Sequence, residues 1–172
     1  MKKGSEILGL PVLEQKAGHK VGKITDLLYS EEQENLLGVL LEVQGDHLPE
    51  MRFISCEDIT EINAHHISII SEDVLQTPQV LSKAEISGYS VSLAFGQQVF
   101  DEVGKEIGIV RDVLVDLETK EVKGYQLSQG LISDLISGRS LLPLNSIVTM
   151  GKEMVLVKDF KGSDDEDELS SL

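Results

Sequence analysis

The chain has 172 residues and a formal charge of −15, with 41% apolar residues but only 4% aromatic and no Trp, so its cores must be built from Val, Ile and Leu and little remains for base-stacking platforms. The charge divides as −8 over residues 1–86, −2 over 87–162 and −5 over 163–172; this repels phosphate backbones and anionic membranes, no run of Lys or Arg offers an exception, and no nucleic acid partner is expected. Cys56 is the single cysteine and cannot form an internal disulfide, and the opening Met-Lys-Lys-Gly-Ser-Glu leads into no apolar stretch long enough for a signal peptide or a span, so direct membrane insertion is excluded and a cytoplasmic chain is expected.

Along the chain, short runs of β-branched and aliphatic residues alternate with Gly, Asn, Asp and Pro turn signals, at intervals that leave no room for a long helix. Gly18 predicts a turn with positive φ, residues 23–29 a strand, the Glu-rich segment 31–35 a turn, and residues 36–43 the returning strand of a hairpin. Gly22 falls where a strand must kink or a neighbouring backbone comes close. Ser71, Glu72 and Asp73 suit the start of a brief helix, after which Gln76-Thr77-Pro78-Gln79 breaks the strand pattern.

The pattern then starts again. Gly18, Gly22 and Asp26 recur as Gly104, Gly108 and Asp112 at an offset of 86, each set reading Gly-x-x-x-Gly-x-x-x-Asp, and Gly38 recurs as Gly124. Residues 106–117 and 122–127 form the second hairpin around a turn at 118–120. Further on, Phe53-Ile54-Ser55 matches Leu141-Leu142-Pro143, and Ile67-Ser68-Ile69 matches Val155-Leu156-Val157, now at an offset of 88. The chain is therefore read as all-β, two tandem small, partly open β-barrels with short helical turns. Their expected limits are residues 1–75 and 87–160, with a linker at 76–86 and a disordered acidic tail at 161–172.

Candidates for chemistry are few. Asp26 and Asp112 lack a second carboxylate or His at ligand spacing and are read as accepting backbone N–H groups. His65 and His66 are adjacent and would point to opposite faces of a strand, His19 and His47 fall in turns, and Cys56 has no C-x-x-C partner, so no metal is assigned. Gly-x-x-x-Gly is neither a P-loop nor a dinucleotide fingerprint, and no Ser, His and Asp stand in a nucleophile context, so neither a catalytic residue nor a cofactor is assigned. One segment departs from the repeat. Where the first copy has Gly45-Asp46-His47-Leu48-Pro49-Glu50, the second has Leu131, Ile132, Leu135 and Ile136 between Gly130 and Gly138, the spacing of a one-turn amphipathic helix whose apolar face either plugs an open end of its own barrel or packs between the two domains, or else docks a partner or a second copy.

The glycine and aspartate pattern, the Gly-bearing strand and the later Leu-Pro-Leu strand resemble the PRC-barrel family, named for the cytoplasmic barrel of the photosynthetic reaction-centre H subunit. In the second copy the residues that carry the resemblance are Gly104, Gly108, Asp112, Gly124, Arg139, Leu142, Pro143 and Ile147, and in the first Gly18, Gly22, Asp26 and Gly38; the first departs from the pattern where Ser55 stands for Pro. The resemblance implies a small barrel used as an adaptor, without shared catalytic residues; tandem versions are typical of spore-forming and related bacteria. The function expected is a non-enzymatic protein-binding or scaffold module. It would act on a protein partner or in self-association, through barrel edges and the 131–136 segment. The competing expectations are a small-molecule or metal-ion sensor whose ligand sits between the barrels, with Asp26, Asp112 and Asp116 converging on it, and, on family analogy alone, an accessory of a membrane electron-transfer complex.

Overall fold

The computed structural model describes residues 1–30, 34–79, 89–128, 141–151 and 153–158. The 131–136 segment, Arg139, most of the linker and the acidic tail lie outside the described residues. Two sheets of seven strands make up the protein among these residues, and the fold is all-β with only short helical turns.

The first repeat supplies β2 (Pro11–Glu14), β3 (His19–Tyr29), β4 (Leu36–Val43), β5 (Glu50–Ser55), β6 (Ile59–Ile62) and β7 (Ile67–Ile69), joined side by side in the order β5-β4-β3-β2-β7-β6. The second supplies β9 (Gln98–Asp101), β10 (Glu106–Asp116), β11 (Glu121–Ser128), β12 (Leu141–Leu142), β13 (Ile147–Met150) and β14 (Met154–Val157), in the equivalent order β12-β11-β10-β9-β14-β13. In both, the first strand of the repeat runs parallel to the last, β2 beside β7 and β9 beside β14, which curls the sheet toward closure. Neither sheet pairs its outermost strands with each other, so both barrels are partly open.

The expected hairpins are β3–β4 and β10–β11, and their registers break at matching places. The shift between Ile24 and Asp26 recurs between Val110 and Asp112, and that between Leu28 and Tyr29 recurs between Leu114 and Val115. These bulges bend a long strand so that one hairpin serves a curved wall. Gly18 and Gly104 take φ of +71° and +83°, as turns of this hand require. Gly38 and Gly124 answer a different demand: a Cβ at either would overlap a carbonyl oxygen of the neighbouring strand, that of Ile54 or of Leu142. The brief helix read over 71–75 is one 3-10 turn, Glu72–Val74, in which Asp73 N–H donates to the Ser71 hydroxyl and Glu72 N–H to Glu14 Oε1. His65 and His66 lie in the bend between β6 and β7 rather than in a strand, because the Asn63 side chain accepts from both of their backbone N–H groups.

The two barrels exchange their leading segments. β1 (Lys2–Lys3), at the start of the first repeat, pairs with β10 of the second, and β8 (Tyr89–Ser90), at the start of the second, pairs with β3 of the first. The partners are equivalent pair by pair: Lys2 with Val115 answers Tyr89 with Tyr29, and Lys3 with Leu114 answers Ser90 with Leu28. A twofold pseudosymmetry relates the repeats, of the kind found when identical subunits share one self-complementary interface. At the hairpin tips Asn35 faces its own counterpart Glu121, with Leu36 N–H donating to Lys120 O (2.8 Å) and Val122 N–H to Glu34 O (2.7 Å). The buried apolar residues of both repeats form one continuous cluster, from Ile7 and Val12 to Val155 and Val157. Burial of this shared surface, rather than the linker, holds the halves together.

Candidate functional site

The most elaborate polar structure lies on the junction between the repeats and is built on the two repeated aspartates. Each leading strand runs into a four-residue helical turn, α1 (Gly4–Ile7) and α2 (Val91–Ala94), whose first N–H groups have no partner within the turn. Asp112 of the second repeat meets those of α1: its carboxylate accepts from Ser5 N–H (3.1 Å) and the Ser5 hydroxyl (2.5 Å), and also from Val113 N–H (2.9 Å). Asp26 does the same for α2, accepting from Ser92 N–H (3.0 Å), the Ser92 hydroxyl (2.5 Å), the Ser90 hydroxyl and Leu27 N–H (2.8 Å). A negative charge at a helix start is favourable, and charge-assisted bonds of this kind are about twice as strong as neutral ones. Each aspartate thus caps a helical turn that belongs to the other repeat.

Two further contacts cross the junction. Gly4 and Val91 are equivalent positions that meet: a Cβ on Gly4 would stand 2.6 Å from Val91 Cγ1, so the pair fits because one member is glycine. Tyr29 and Tyr125, both fully buried, bring their hydroxyls within 2.5 Å, with the rings edge to face at 6.5 Å and 73°. Tyr125 also donates to the Met150 sulfur (3.4 Å).

The carboxylates considered for a shared ligand are distributed elsewhere. Asp26 and Asp112 are committed to the helical turns, and Asp116 sits at the β10–β11 turn, where the N–H groups of Thr119 and Glu118 hold its carboxyl below the usual carboxylate range. The cleft between the hairpin tips, about 230 Å³, is lined by Asn35, Leu36, Cys56, Glu57, Thr119 and Lys120, and by none of these three aspartates. Burial pushes the Cys56 thiol up, against the opposing pull of Lys120, which disfavours a reactive thiolate. Lys120 spans the cleft, donating to Cys56 O (2.7 Å) and Ile59 O (3.4 Å) at a second 3-10 turn of the first repeat, Cys56–Asp58.

The barrel edges differ. In the first repeat the edge strand β5 is covered by the chain that follows: Phe53 N–H donates to Gln76 O (2.8 Å) and Gln76 N–H returns to Phe53 O (2.9 Å). In the second, no strand lies outside β12 among the described residues, and Leu141, the counterpart of Phe53, is 46% exposed where Phe53 is 5%. Val148 of the outer strand β13 and Met154 of β14 are also exposed. Pro143 stands directly after β12, opposite Gly124. Leu131, Ile132, Leu135 and Ile136, the residues expected to dock a partner, fall in the undescribed segment that enters β12 at Leu141. No helix among the described residues is long and apolar enough to cross a membrane.

Sequence reading placed Gly18, Gly22, Asp26, Gly38, Gly104, Gly108, Asp112 and Gly124 as structural repeat positions, and the bonds of Asp26 and Asp112 are of the backbone-accepting kind it anticipated. It missed their serine partners, although Ser5 and Ser92, Gly9 and Gly96, and Val12 and Val99 recur at an offset of 87 and extend the repeat to both leading segments.

Comparison with known proteins agrees with this architecture. The PRC-barrel domain matches residues 1–74 and again residues 88–164. The chain is also similar to the uncharacterised protein YrrD of Bacillus subtilis (strain 168), with 26% identity over 155 residues that span 88% of this chain and 84% of that protein. With two copies of the domain covering most of its length, the chain belongs to the PRC-barrel family.

Proposed function

We propose that the protein is a non-enzymatic scaffold of the cytoplasm that binds a protein partner through the edge of its second barrel, at β12, outside which no strand lies among the described residues, and at the 131–136 segment that precedes it. The observation that carries this reading is the difference between the two edges. An uncovered strand presents a row of backbone donors and acceptors, and native proteins cover such edges or use them to add a strand from a partner. The first barrel follows the former course, with Gln76 on Phe53. The second carries exposed Leu141 at its edge, and its repeat bears only −2 of the −15 charge, so an incoming neutral or basic segment meets little repulsion there and is drawn by the rest of the molecule.

The test is affinity capture with the intact chain, compared with Leu141→Asp and with Leu135→Asp/Ile136→Asp, each checked for folding by circular dichroism and for self-association by light scattering. A protein retained by the intact chain and lost by the folded variants supports the reading. Retention by both folded variants would place binding elsewhere, and a change in mass without a captured protein would replace the partner by a second copy of the chain.

A further inference from the structure

Outside the junction, one cluster of ligating groups converges from three separate stretches of the first repeat. Glu14 ends β2, His19 begins β3, and Glu72 opens the 3-10 turn that follows β7. His19 Nδ1 lies 3.4 Å from Glu14 Oε2, His19 Nε2 lies 2.6 Å from Glu72 Oε1, and one donor atom from each of the three residues can be chosen so that all lie within 4.8 Å of one another. We propose that this cluster is a binding site for one divalent transition ion of the zinc and cobalt class, with two carboxylates and one imidazole as ligands and water completing the shell.

Charge and burial support the assignment. Glu14 is 7% exposed, and a buried carboxylate is costly unless it is paired. Its Oε1 accepts from Glu72 N–H (3.2 Å), but Oε2 receives no hydrogen bond among the described residues, and its polar neighbour is the imidazole. Two carboxylates converge on one imidazole, and a divalent ion would balance the charge of both while bonding all three groups. The spacing fits as well: metal bonds of about 2.1 Å in a tetrahedral shell put neighbouring ligand atoms roughly 3.4 Å apart, the separation of His19 Nδ1 from Glu14 Oε2. Glu72 Oε1 contacts the other ring nitrogen, Nε2, at 2.6 Å, so its half-exposed side chain leaves that contact and swings in to serve as the third ligand. The imidazole favours zinc, cobalt or their neighbours over calcium and magnesium, which take all-oxygen shells.

The second repeat sets the stoichiometry. There Asp101 stands for Glu14 and Lys105 for His19, and the shorter Asp101 turns back on its own loop to accept from Val103 N–H (3.1 Å) and Lys105 N–H (2.7 Å). A lysine amine in place of the imidazole leaves no such ligand set, so one ion per chain is expected. Weighing each histidine by its sequence neighbours, which assigned no metal, could not reveal a partner 53 residues away.

The experiment is calorimetric titration of the EDTA-stripped full chain with Zn²⁺, and of the same protein with Co²⁺ followed by visible absorption, against His19→Ala and Glu72→Gln, with His66→Ala and His47→Ala as controls. Both test variants alter half-exposed side chains, and circular dichroism confirms their folding. The expected result is one equivalent bound with a Co²⁺ ligand-field band, weakened about a hundredfold or more in the two test variants, at least the loss of an outer-shell partner, and unchanged in the controls. Absence of stoichiometric binding, or equal binding by folded His19→Ala, as would follow if the acidic tail captured the ion, overturns the proposal and leaves His19 as a bridge between two carboxylates.

Discussion

The two repeats coincide where they touch and diverge where they face outward. Asp26 and Asp112 make the same bonds to the other repeat's helical turn, and the bulges of β3 and β10 fall at the same positions. By contrast, β5 is covered by Gln76 while β12 has an exposed Leu141, and the Glu14, His19 and Glu72 cluster has Asp101 and Lys105 at its counterpart. A duplicated barrel whose leading strands are exchanged must keep both halves of each contact, since losing either half leaves a buried donor or acceptor without its partner. The rims carry no such obligation, and the differences between the repeats mark where their roles separate.

The comparison can be broken first at the paired glycines. Gly124→Ala puts a Cβ into the Leu142 carbonyl and strains a backbone at φ +140°, whereas Gly38→Ala meets the Ile54 carbonyl without that φ. Losses of about 3 kcal/mol or more for Gly124→Ala, and somewhat less for Gly38→Ala, are expected in urea unfolding. Equal, small losses would mean that the strands part easily at this point.

Next come the aspartates. Asp112→Ala removes three bonds from a carboxylate that is 6% exposed and should cost about 2 to 3 kcal/mol, read as a lower denaturation midpoint. Asp26→Ala, at a half-buried position, should cost less, and in both variants hydrogen exchange should rise first in the helical turn of the other repeat. Exchange that rises only beside the mutated residue would argue against the exchanged arrangement.

Equivalent residues that meet at the junction give a finer test. Gly4→Ala should destabilise by about 1 to 2 kcal/mol against Val91 and be partly rescued by Val91→Ala, because neighbours that share one space do not act additively. Additive effects would separate the two residues. The smallest effect is that of Asp116, where the first repeat has Ser30. Its carboxyl is held low in the folded protein, so its small stabilisation is present above the unfolded aspartate range and is lost as pH falls through the folded value. Asp116→Asn should therefore lower stability slightly at neutral pH and leave it unchanged below the folded value, which flattens the acid limb of the stability curve, as thermal melts from acidic to neutral pH would show.

What the amino-acid order determined alone was whatever a local pattern can encode. The hairpins follow from alternating β-branched runs and their turns, positive φ at Gly18 and Gly104 from the lack of a side chain, and the duplication from glycines and aspartates at one constant offset. The tertiary structure decided the pairings whose members are far apart in the chain: Ser5 with Asp112 at a separation of 107 residues, Tyr29 with Tyr125 at 96, Ser92 with Asp26 at 66, and His19 with Glu72 at 53. No periodicity links such residues. The first three meet because the exchange of leading strands buries one shared core, while His19 and Glu72 meet where β7 closes beside β2 within the first repeat.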